Sequence, residues 1–415
     1  MSALSWSKVG DLSWYPPNVL LIYVGVGQSY ARGATADVGT VISTTPVYPN
    51  LALMVANGPL VTRRTNLDLV SARETPTPKT QETFGSGFVN NLISKVQSTF
   101  GISQKVAFLL SAENSQPLTR LNRGSLRYNL ALDGIRDAKE HALRHGLIPI
   151  VAGALCEQGQ ADDWVHRATY AAGLQRWSMD FAADARAITG QSDDPLFYVM
   201  QVAAGNRRDP WDASFFEQGA ALAQLDLHGH GLIRLVGPDY QFPISADLRH
   251  PTSVGYYRLG ALFAEAVFAQ TSGQGWHPIL CRRAFKIGTN RIRLDMAVPD
   301  KGDLMIDLAG DIVPTEAACC GFLVMAEGAA CPVTAVSIPA SPDLANINRR
   351  WVDLDVETPS GAGAKVYFAQ RADGTGGLGP VFGPRGNLRT VATYQPLLGP
   401  PRPHWCPAFT VEVPG

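Results

Sequence analysis

Two patterns of hydrophobic and polar positions follow one another along the chain. From Val19 to about Gly273, apolar runs of strand length alternate with longer amphipathic runs, which predicts parallel strands alternating with helices. From Trp276 onward the runs are short and alternating, and they are broken by Gly, Pro and Asp, as in the segment 291–298. We therefore expect a doubly wound, three-layer α/β domain with a parallel sheet, followed by a β-sandwich-like domain.

The predicted elements of the first part differ in the spacing of their apolar residues. Short aliphatic and aromatic runs indicate buried strands, whereas apolar residues at helical spacing indicate helices that cover the sheet. The predicted strands lie at 20–26, 106–110, 148–155, 196–202 and 232–236, and the predicted helices at 128–142, about 164–188 and 256–267.

Composition narrows the class of protein. Of the 415 residues, 46% are hydrophobic, enough for two cores, and we place an amino-terminal arm at 1–17, the α/β domain at 18–273 and the β-domain at 274–415. The 35 basic and 36 acidic side chains leave a net charge of −1 without a dense basic cluster, which argues against nucleic acid as a partner. Residues 1–8 lack a signal-peptide pattern and no apolar run is long enough for a membrane span, so we expect a soluble protein.

A serine stands where the first predicted strand meets glycines. In Gly25-Val26-Gly27-Gln28-Ser29, the hydroxyl of Ser29 would be presented at the carboxyl end of a parallel strand, where the ligands of such sheets collect. A nucleophilic serine is expected in this kind of position. The same residues also fit an ordinary turn closed by a helix N-cap.

A carboxylate and an imidazole lie three residues apart near the end of the same domain. The segment Asp247-Leu248-Arg249-His250-Pro251 precedes a predicted helix, and there the carboxylate of Asp247 can fold back onto one nitrogen of His250 while the other faces outward. A nucleophilic serine needs this combination of a base and a group that orients it. A helix cap beside an exposed histidine is the structural alternative.

An amide side chain follows another predicted strand. The strand at 148–155 opens into a polar loop that contains Gln158. A primary amide suits an oxyanion site because it donates hydrogen bonds without titrating near neutral pH, which makes Gln158 a candidate donor. Taken alone, a solvated loop glutamine is the default interpretation.

In this order along the chain, the serine, the amide and the Asp-x-x-His pair resemble the SGNH hydrolase superfamily, and within it the sialate O-acetylesterase-like branch of carbohydrate acetylesterases. That branch carries Gly-Gln-Ser at the nucleophile, as at 27–29 here, and closes with Asp-x-x-His-Pro, as at 247–251. Its Gln-Gly-Glu loop is matched at two of three positions, because Gln160 stands where glutamate is usual. The resemblance covers roughly the first two thirds of the chain and depends on the ordered set of motifs.

The resemblance implies a serine esterase. Ser29 would be the nucleophile, His250 the general base and Asp247 the residue that orients the base. The implied substrate is an O-acetyl group on a carbohydrate. Neither a metal nor a cofactor is expected.

The resemblance also implies an oxyanion hole. The hole would comprise the backbone N–H of Ser29, the amide of Gln158 and the backbone N–H of a glycine, for which Gly85 is favoured over Gly87.

Candidate substrate contacts lie at the carboxyl edge of the predicted sheet. They are Gln28, next to the serine, and Asn114, Gln116 and Arg120, in the loop after the strand at 106–110, where they could contact sugar hydroxyls. Loop solvation explains these three loop residues equally well.

The end of the β-domain, at 365–370 and 382–389, looks like the carboxy-terminal β-module of SGNH-type hydrolases of bacteriophage and prophage origin. This resemblance implies an enzyme for bacterial surface polysaccharide, associated with the virion or cytoplasmic before assembly. A homo-oligomer and a tail component are both compatible with it. A β-domain that only shields the catalytic domain or mediates oligomerisation fits the residues equally well.

Two other functions stay open on the sequence alone. A phage or prophage tail protein that binds carbohydrate, or is structural, could keep this fold with weak or lost esterase activity, since Gln160 departs from the pattern. A lipase or thioesterase of the same superfamily would need a broad apolar cleft, whereas the loops beside Ser29 are rich in Asn, Gln, Arg and Ser.

Overall fold

A mainly parallel β-sheet lies at the centre of the first part of the chain. In the computed structural model its strands are β1 (Val19–Gly27), β2 (Ala52–Met54), β3 (Val70–Ser71), β4 (Lys105–Ala112), β5 (Ile148–Glu157), β6 (Leu196–Gln201) and β7 (Ile233–Pro238). The structure describes residues 18–35, 37, 39–56, 58–64, 68–77, 81–162, 164–203, 219–299, 302–308, 317–340, 349–357, 363–371 and 378–414, and the predicted arm at 1–17 lies outside them.

The strand order confirms the doubly wound prediction. Within the described residues the sheet has seven strands in the order β3-β2-β4-β1-β5-β6-β7, and only the pairing of β2 with β3 is antiparallel. All nine residues of β1 are buried, because a central strand of a parallel sheet is covered on both faces. The chain leaves β1 towards β4 on one side and later reaches β5 on the other, so a topological switch point lies at the carboxyl end of β1.

Helices cover both faces of this sheet and complete the three layers. They are α1 (Ser29–Arg32), α2 (Phe84–Phe100), α3 (Leu126–Arg144), α4 (Arg167–Thr189), α5 (Gly219–Asp226) and α6 (Ser253–Thr271). One hydrophobic core joins α3, α4 and α5 to the sheet, and a second core joins α2 and α6 to its other face. The helix expected from about Trp164 begins at Arg167, and the side chain of Trp164 is exposed in the preceding loop.

The helices α2 and α6 cross with their backbones in contact. A Cβ atom added to Gly260 would lie 2.1 Å from the backbone oxygen of Phe84, and one added to Gly87 would lie 2.2 Å from that of Tyr257. Only glycine allows this approach. Gly87 is therefore accounted for by helix packing.

The second part of the chain consists mainly of antiparallel sheets, as predicted. Its elements are β8 (Leu280–Gly288), β9 (Arg291–Ala297), β10 (Leu304–Ile306), β11 (Phe322–Ala326), β12 (Ala329–Cys331), β13 (Val333–Ser337), β14 (Arg349–Val356), β15 (Ala364–Phe368), α7 (Gly379–Phe382), β16 (Leu388–Tyr394), β17 (Arg402–Trp405) and β18 (Phe409–Val413). In the described segments, the sheets β13-β14-β9-β8 and β12-β11-β15-β18 share one hydrophobic core, and β10-β16-β17 form a smaller sheet beside them. The fold class is the one expected from the alternating pattern.

The two parts are joined by hydrogen bonds between buried groups. The side-chain amide of Gln201, at the end of β6, donates to the backbone oxygen of Ala408 at 2.9 Å and accepts from its backbone N–H at 2.6 Å. The hydroxyl of Tyr240 donates to the backbone oxygen of Cys406 at 2.7 Å.

None of the helices in the described residues has the length and apolar character needed to cross a membrane.

Candidate active site

Ser29 lies where β1 turns sharply into α1. Gly27 has a φ of +142°, and a Cβ atom there would lie 2.0 Å from the backbone oxygen of Glu157 on the neighbouring strand. The same oxygen accepts a hydrogen bond from the backbone N–H of Gln28 at 3.1 Å. Glycine is therefore required at 27 to bring the turn against β5, and Ser29 becomes the first residue of the short helix. Its side chain is largely buried at the carboxyl edge of the sheet.

Asp247 and His250 form a bonded pair in the loop before α6. The distance from Nδ1 of His250 to Oδ2 of Asp247 is 2.7 Å. The other carboxylate oxygen accepts from the backbone N–H groups of Arg249 at 2.9 Å and His250 at 2.8 Å, and from the hydroxyl of Ser245 at 2.9 Å. Leu248 adopts a φ of +58°, which closes the loop back on itself.

The protonation state of this pair follows from its hydrogen bonds. Partial burial would raise the pKa of Asp247, but hydrogen bonds from the backbone and the imidazole of His250 outweigh it and hold the pKa below its usual value. An ionised carboxylate favours the tautomer of His250 that carries its proton on Nδ1. In that tautomer the lone pair of Nε2 is available to accept a proton.

Tyr30 connects the loop of His250 to the helix of Ser29. Its hydroxyl donates a hydrogen bond to the backbone oxygen of Arg249, and its ring centroid lies 5.9 Å from that of the His250 imidazole. The hydroxyl of Tyr256 donates to the backbone oxygen of Ala34 at 2.7 Å and lies 3.3 Å from that of Ser29, which ties α6 to the same turn. Sequence reasoning missed Tyr30, although an aromatic residue directly after the serine was a visible signal.

Gln158 lies one strand away from Ser29 and is completely buried. Its Nε2 atom donates to the carboxylate of Asp162 and lies 3.4 Å from the backbone oxygen of Gln116. Its Oε1 atom accepts from the hydroxyl of Tyr170 at 2.8 Å. The amide is thus held in a fixed orientation, with its hydrogens directed to groups of the protein, and the role of Gln158 as an oxyanion donor stays a prediction.

Gly85 lies in the first turn of α2. Its backbone N–H donates to the hydroxyl of Thr83, the N-cap of this helix, at 3.1 Å. A Cβ atom at Gly85 would lie 2.3 Å from the ring of Phe108 on β4, so close packing is one reason for glycine here. Its place in an oxyanion hole also stays a prediction.

The predicted substrate contacts lie along the rim formed by the loops after β1, β4 and β5. Gln28 is buried, and its Oε1 atom accepts from the backbone N–H of Ala161 at 3.3 Å, which joins two of these loops. Gln116 donates to the backbone oxygen of Asn114 at 3.3 Å in the loop after β4. Arg120 is exposed in the short 3₁₀ turn that follows.

Gln160 has a role that explains its difference from the expected glutamate. Its Nε2 atom donates to Oε1 of Glu157 at 2.7 Å and to Oδ2 of Asp239 at 3.1 Å. Burial raises the pKa of Asp239 to about 7, and burial together with the charge of Asp239 raises the pKa of Glu157 well above its usual range. An amide donates to both carboxyl groups, whereas a glutamate would add a third acid. Sequence reasoning did not find this cluster, because Asp239 is distant in the chain.

Candidate metal ligands lie elsewhere. Among the described residues, the one group of three side chains arranged as metal ligands consists of Asp68, His141 and His145. Both histidines lie at the end of α3, which leads into the amino end of β5. This group is therefore at the opposite edge of the sheet from Ser29.

Comparisons with known proteins relate this chain to others through its fold. No protein-family profile and no curated protein sequence matches it. A carbohydrate acetylesterase from Xanthomonas citri is similar over 94% of this chain and 80% of its own, with 12% sequence identity and a TM-score of 0.55. A protein from Arabidopsis thaliana is similar over 62% of this chain and 100% of its own, with 19% identity and a TM-score of 0.44. NanS is similar over 60% of this chain and 97% of its own, with 13% identity and a TM-score of 0.38. The first of these similarities shows that the chain has the fold of the Xanthomonas citri acetylesterase along almost its whole length.

Proposed function

We propose that this chain is a serine esterase that removes O-acetyl groups from carbohydrate, with Ser29, His250 and Asp247 as its catalytic triad. The observation that carries the proposal is the 2.7 Å hydrogen bond between Asp247 and His250, in a loop that meets the helix of Ser29 through Tyr30. The fold shared with a carbohydrate acetylesterase supports the same class of reaction.

The reaction would proceed through an acyl-enzyme. As Oγ of Ser29 bonds to the ester carbonyl carbon, Nε2 of His250 takes the hydroxyl proton. When the tetrahedral intermediate collapses, the bond to the sugar oxygen breaks and the proton passes from Nε2 to that oxygen. Water then attacks the acetyl group in the same way, which releases acetate and restores Ser29. Asp247 stabilises the imidazolium that forms in each half of the reaction.

The oxyanion would be stabilised by the backbone N–H of Ser29, the backbone N–H of Gly85 and the amide of Gln158. Each donor of this kind lowers the barrier by about 2–4 kcal/mol. The amide of Gln158 is held by Asp162 and Tyr170, and to stabilise the oxyanion it would share with it one of the hydrogens that now face the protein. Gln158→Ala should then slow turnover by about a hundredfold.

The substrate that we propose is an O-acetylated bacterial surface polysaccharide, acted on by a phage or prophage enzyme. The rim beside Ser29 carries amide and guanidinium groups, at Asn114, Gln116 and Arg120, which suit hydrogen bonds to sugar hydroxyls. An acetyl group is small, and the predicted nucleophile is largely buried, which favours short acyl chains over long ones.

Hydrolysis of p-nitrophenyl acetate and of longer acyl esters tests the proposal. We expect turnover that favours acetate and that falls by about a millionfold in Ser29→Ala. The matched control is Ser98→Ala, which changes an exposed serine on α2 and should leave turnover unchanged.

Each other result would favour a different function. A preference for long chains would indicate a lipase or thioesterase, and absence of turnover that depends on Ser29 would indicate a carbohydrate-binding or structural tail protein. Release of acetate from a panel of bacterial capsules and lipopolysaccharides would identify the polysaccharide.

A further inference from the structure

Three side chains with metal-binding atoms meet at the amino edge of the sheet. His141 lies in the last turn of α3 and His145 caps its end, so their rings lie on one face with centroids 4.4 Å apart. Asp68, just before β3, completes the group. Its Oδ1 atom lies 3.1 Å from Nδ1 of His141 and 3.4 Å from Nε2 of His145.

The contacts of His141 favour a cation between it and Asp68. In the tautomer of His141 that leaves a lone pair on Nδ1, this nitrogen accepts from the backbone N–H of Leu69 at 3.2 Å and faces Oδ1 of Asp68 at 3.1 Å. In the other tautomer, Nδ1 donates its proton to Asp68. With the first tautomer, a cation between the nitrogen and the carboxylate oxygen would replace their repulsion by attraction, at the expense of the long bond from Leu69.

We propose that Asp68, His141 and His145 form a Zn²⁺ site, with water as the fourth ligand. Bonds of about 2.0–2.1 Å to zinc separate the ligand atoms of a tetrahedral site by about 3.3 Å. The distances of 3.1 and 3.4 Å from Oδ1 of Asp68 to the ring nitrogens of His141 and His145 match this ligand-to-ligand separation. All three ligand atoms lie within 4.8 Å of one another. Two imidazoles select zinc over magnesium or calcium, which prefer oxygen ligands. An open cavity of about 430 Å³, lined by Asn50 and Lys105 among others, has room for the water.

Positive side chains compete with the metal for this site. The guanidinium of Arg144 donates to Oδ1 of Asp68 from Nη2 at 2.7 Å and from Nε at 3.1 Å, and Lys105 lines the same cavity. The Arg144 side chain is 43% exposed and has space to move when zinc binds. Removal of its charge should therefore strengthen zinc binding. This expectation separates a metal site from a cluster of ion pairs.

Isothermal titration of ZnCl₂ into the full chain, stripped with EDTA, tests the proposal. We expect one saturable site, which is lost in His145→Ala and weakened in Asp68→Asn; both side chains are half exposed, so these variants should fold. His166→Ala changes an exposed histidine elsewhere and should bind zinc as the unaltered protein does. Arg144→Ala should bind zinc about tenfold more tightly, the effect of removing one charge roughly 5 Å from a divalent ion.

Three outcomes would overturn the proposal. The first is absence of saturable zinc binding, and the second is an affinity for MgCl₂ equal to that for ZnCl₂. The third is a zinc affinity that is unchanged in His145→Ala, which would point to a thiol such as the exposed Cys319 as the ligand. Turnover of p-nitrophenyl acetate by the same samples is an independent readout, because the zinc ligands lie at the opposite edge of the sheet from Ser29. Loss of esterase activity alone therefore leaves the zinc result interpretable.

Discussion

Replacing Gln160 by glutamate should destabilise this protein. The amide of Gln160 donates to Glu157 at 2.7 Å and to Asp239 at 3.1 Å, and both of these carboxyl groups are buried. Gln160→Glu replaces a double donor by a third acidic group. The substitution is nearly isosteric, so its effect reports on hydrogen bonds and charge.

The magnitude follows from the donors that are lost. A protonated glutamate has one O–H group, which can serve Glu157 or Asp239 but not both, so one hydrogen bond to a charged or acidic group disappears at a cost of about 1.5–3 kcal/mol. Near neutral pH, keeping the new carboxyl protonated costs about 1.4 kcal/mol for each pH unit above its ordinary pKa. With an ordinary glutamate pKa of about 4.3, this cost is about 4.5 kcal/mol at pH 7.5 and about 1 kcal/mol at pH 5. Together with the lost hydrogen bond, we expect the free energy of unfolding to fall by about 6 kcal/mol at pH 7.5 and by about 3 kcal/mol at pH 5.

The free energy of unfolding of the unaltered protein should also fall as the pH rises, but less steeply than that of Gln160→Glu. The pKa of Asp239 is raised by burial to about 7 in the folded state, above its value in the unfolded chain. The folded protein therefore binds this proton more tightly, and the resulting stabilisation is present at acid pH and is lost as the pH rises from about 4 through about 7.

Urea unfolding followed by tryptophan fluorescence at pH 5 and 7.5 measures these differences. The matched control is Gln175→Glu, on the exposed side of α4, which should change the free energy of unfolding by less than about 0.5 kcal/mol. If Gln160→Glu were as stable as the unaltered protein at pH 7.5, or lost more stability at pH 5 than at pH 7.5, the interpretation of the cluster would be wrong.

Three further changes test the site and the fold. Asp247→Asn should lower kcat for p-nitrophenyl acetate by on the order of ten-thousandfold, because the amide favours the wrong tautomer of His250, and a loss below tenfold would contradict the triad. Tyr30→Phe removes the donor to the backbone oxygen of Arg249, so kcat should fall more than KM changes, and the free energy of unfolding should fall by about 1 kcal/mol. An unaltered kcat would show that this contact does not position the base. Gly260→Ala places a methyl group 2.1 Å from a backbone oxygen of α2 and should cost about 1–3 kcal/mol in thermal unfolding, and an unchanged Tm would refute the close crossing.

The sequence by itself determined the fold class and the local geometry of the proposed catalytic groups. The apolar run of β1 predicts a central strand, and glycine at 27 followed by Ser29 predicts a sharp turn at its end, because both depend on neighbouring residues. The spacing of three residues between Asp247 and His250 likewise sufficed for their hydrogen bond, since a short loop closes at little entropic cost.

The tertiary structure alone decided which distant groups meet. Tyr30 contacts Arg249 across 219 residues, and Gln160 contacts Asp239 across 79, and no local pattern encodes either pairing. These contacts exist because strands distant in the chain are neighbours in the sheet, so their end loops converge at one edge. The preference for an amide at Gln160 became intelligible only with both buried carboxyl groups in view, because the cost of a buried acid depends on the groups packed around it.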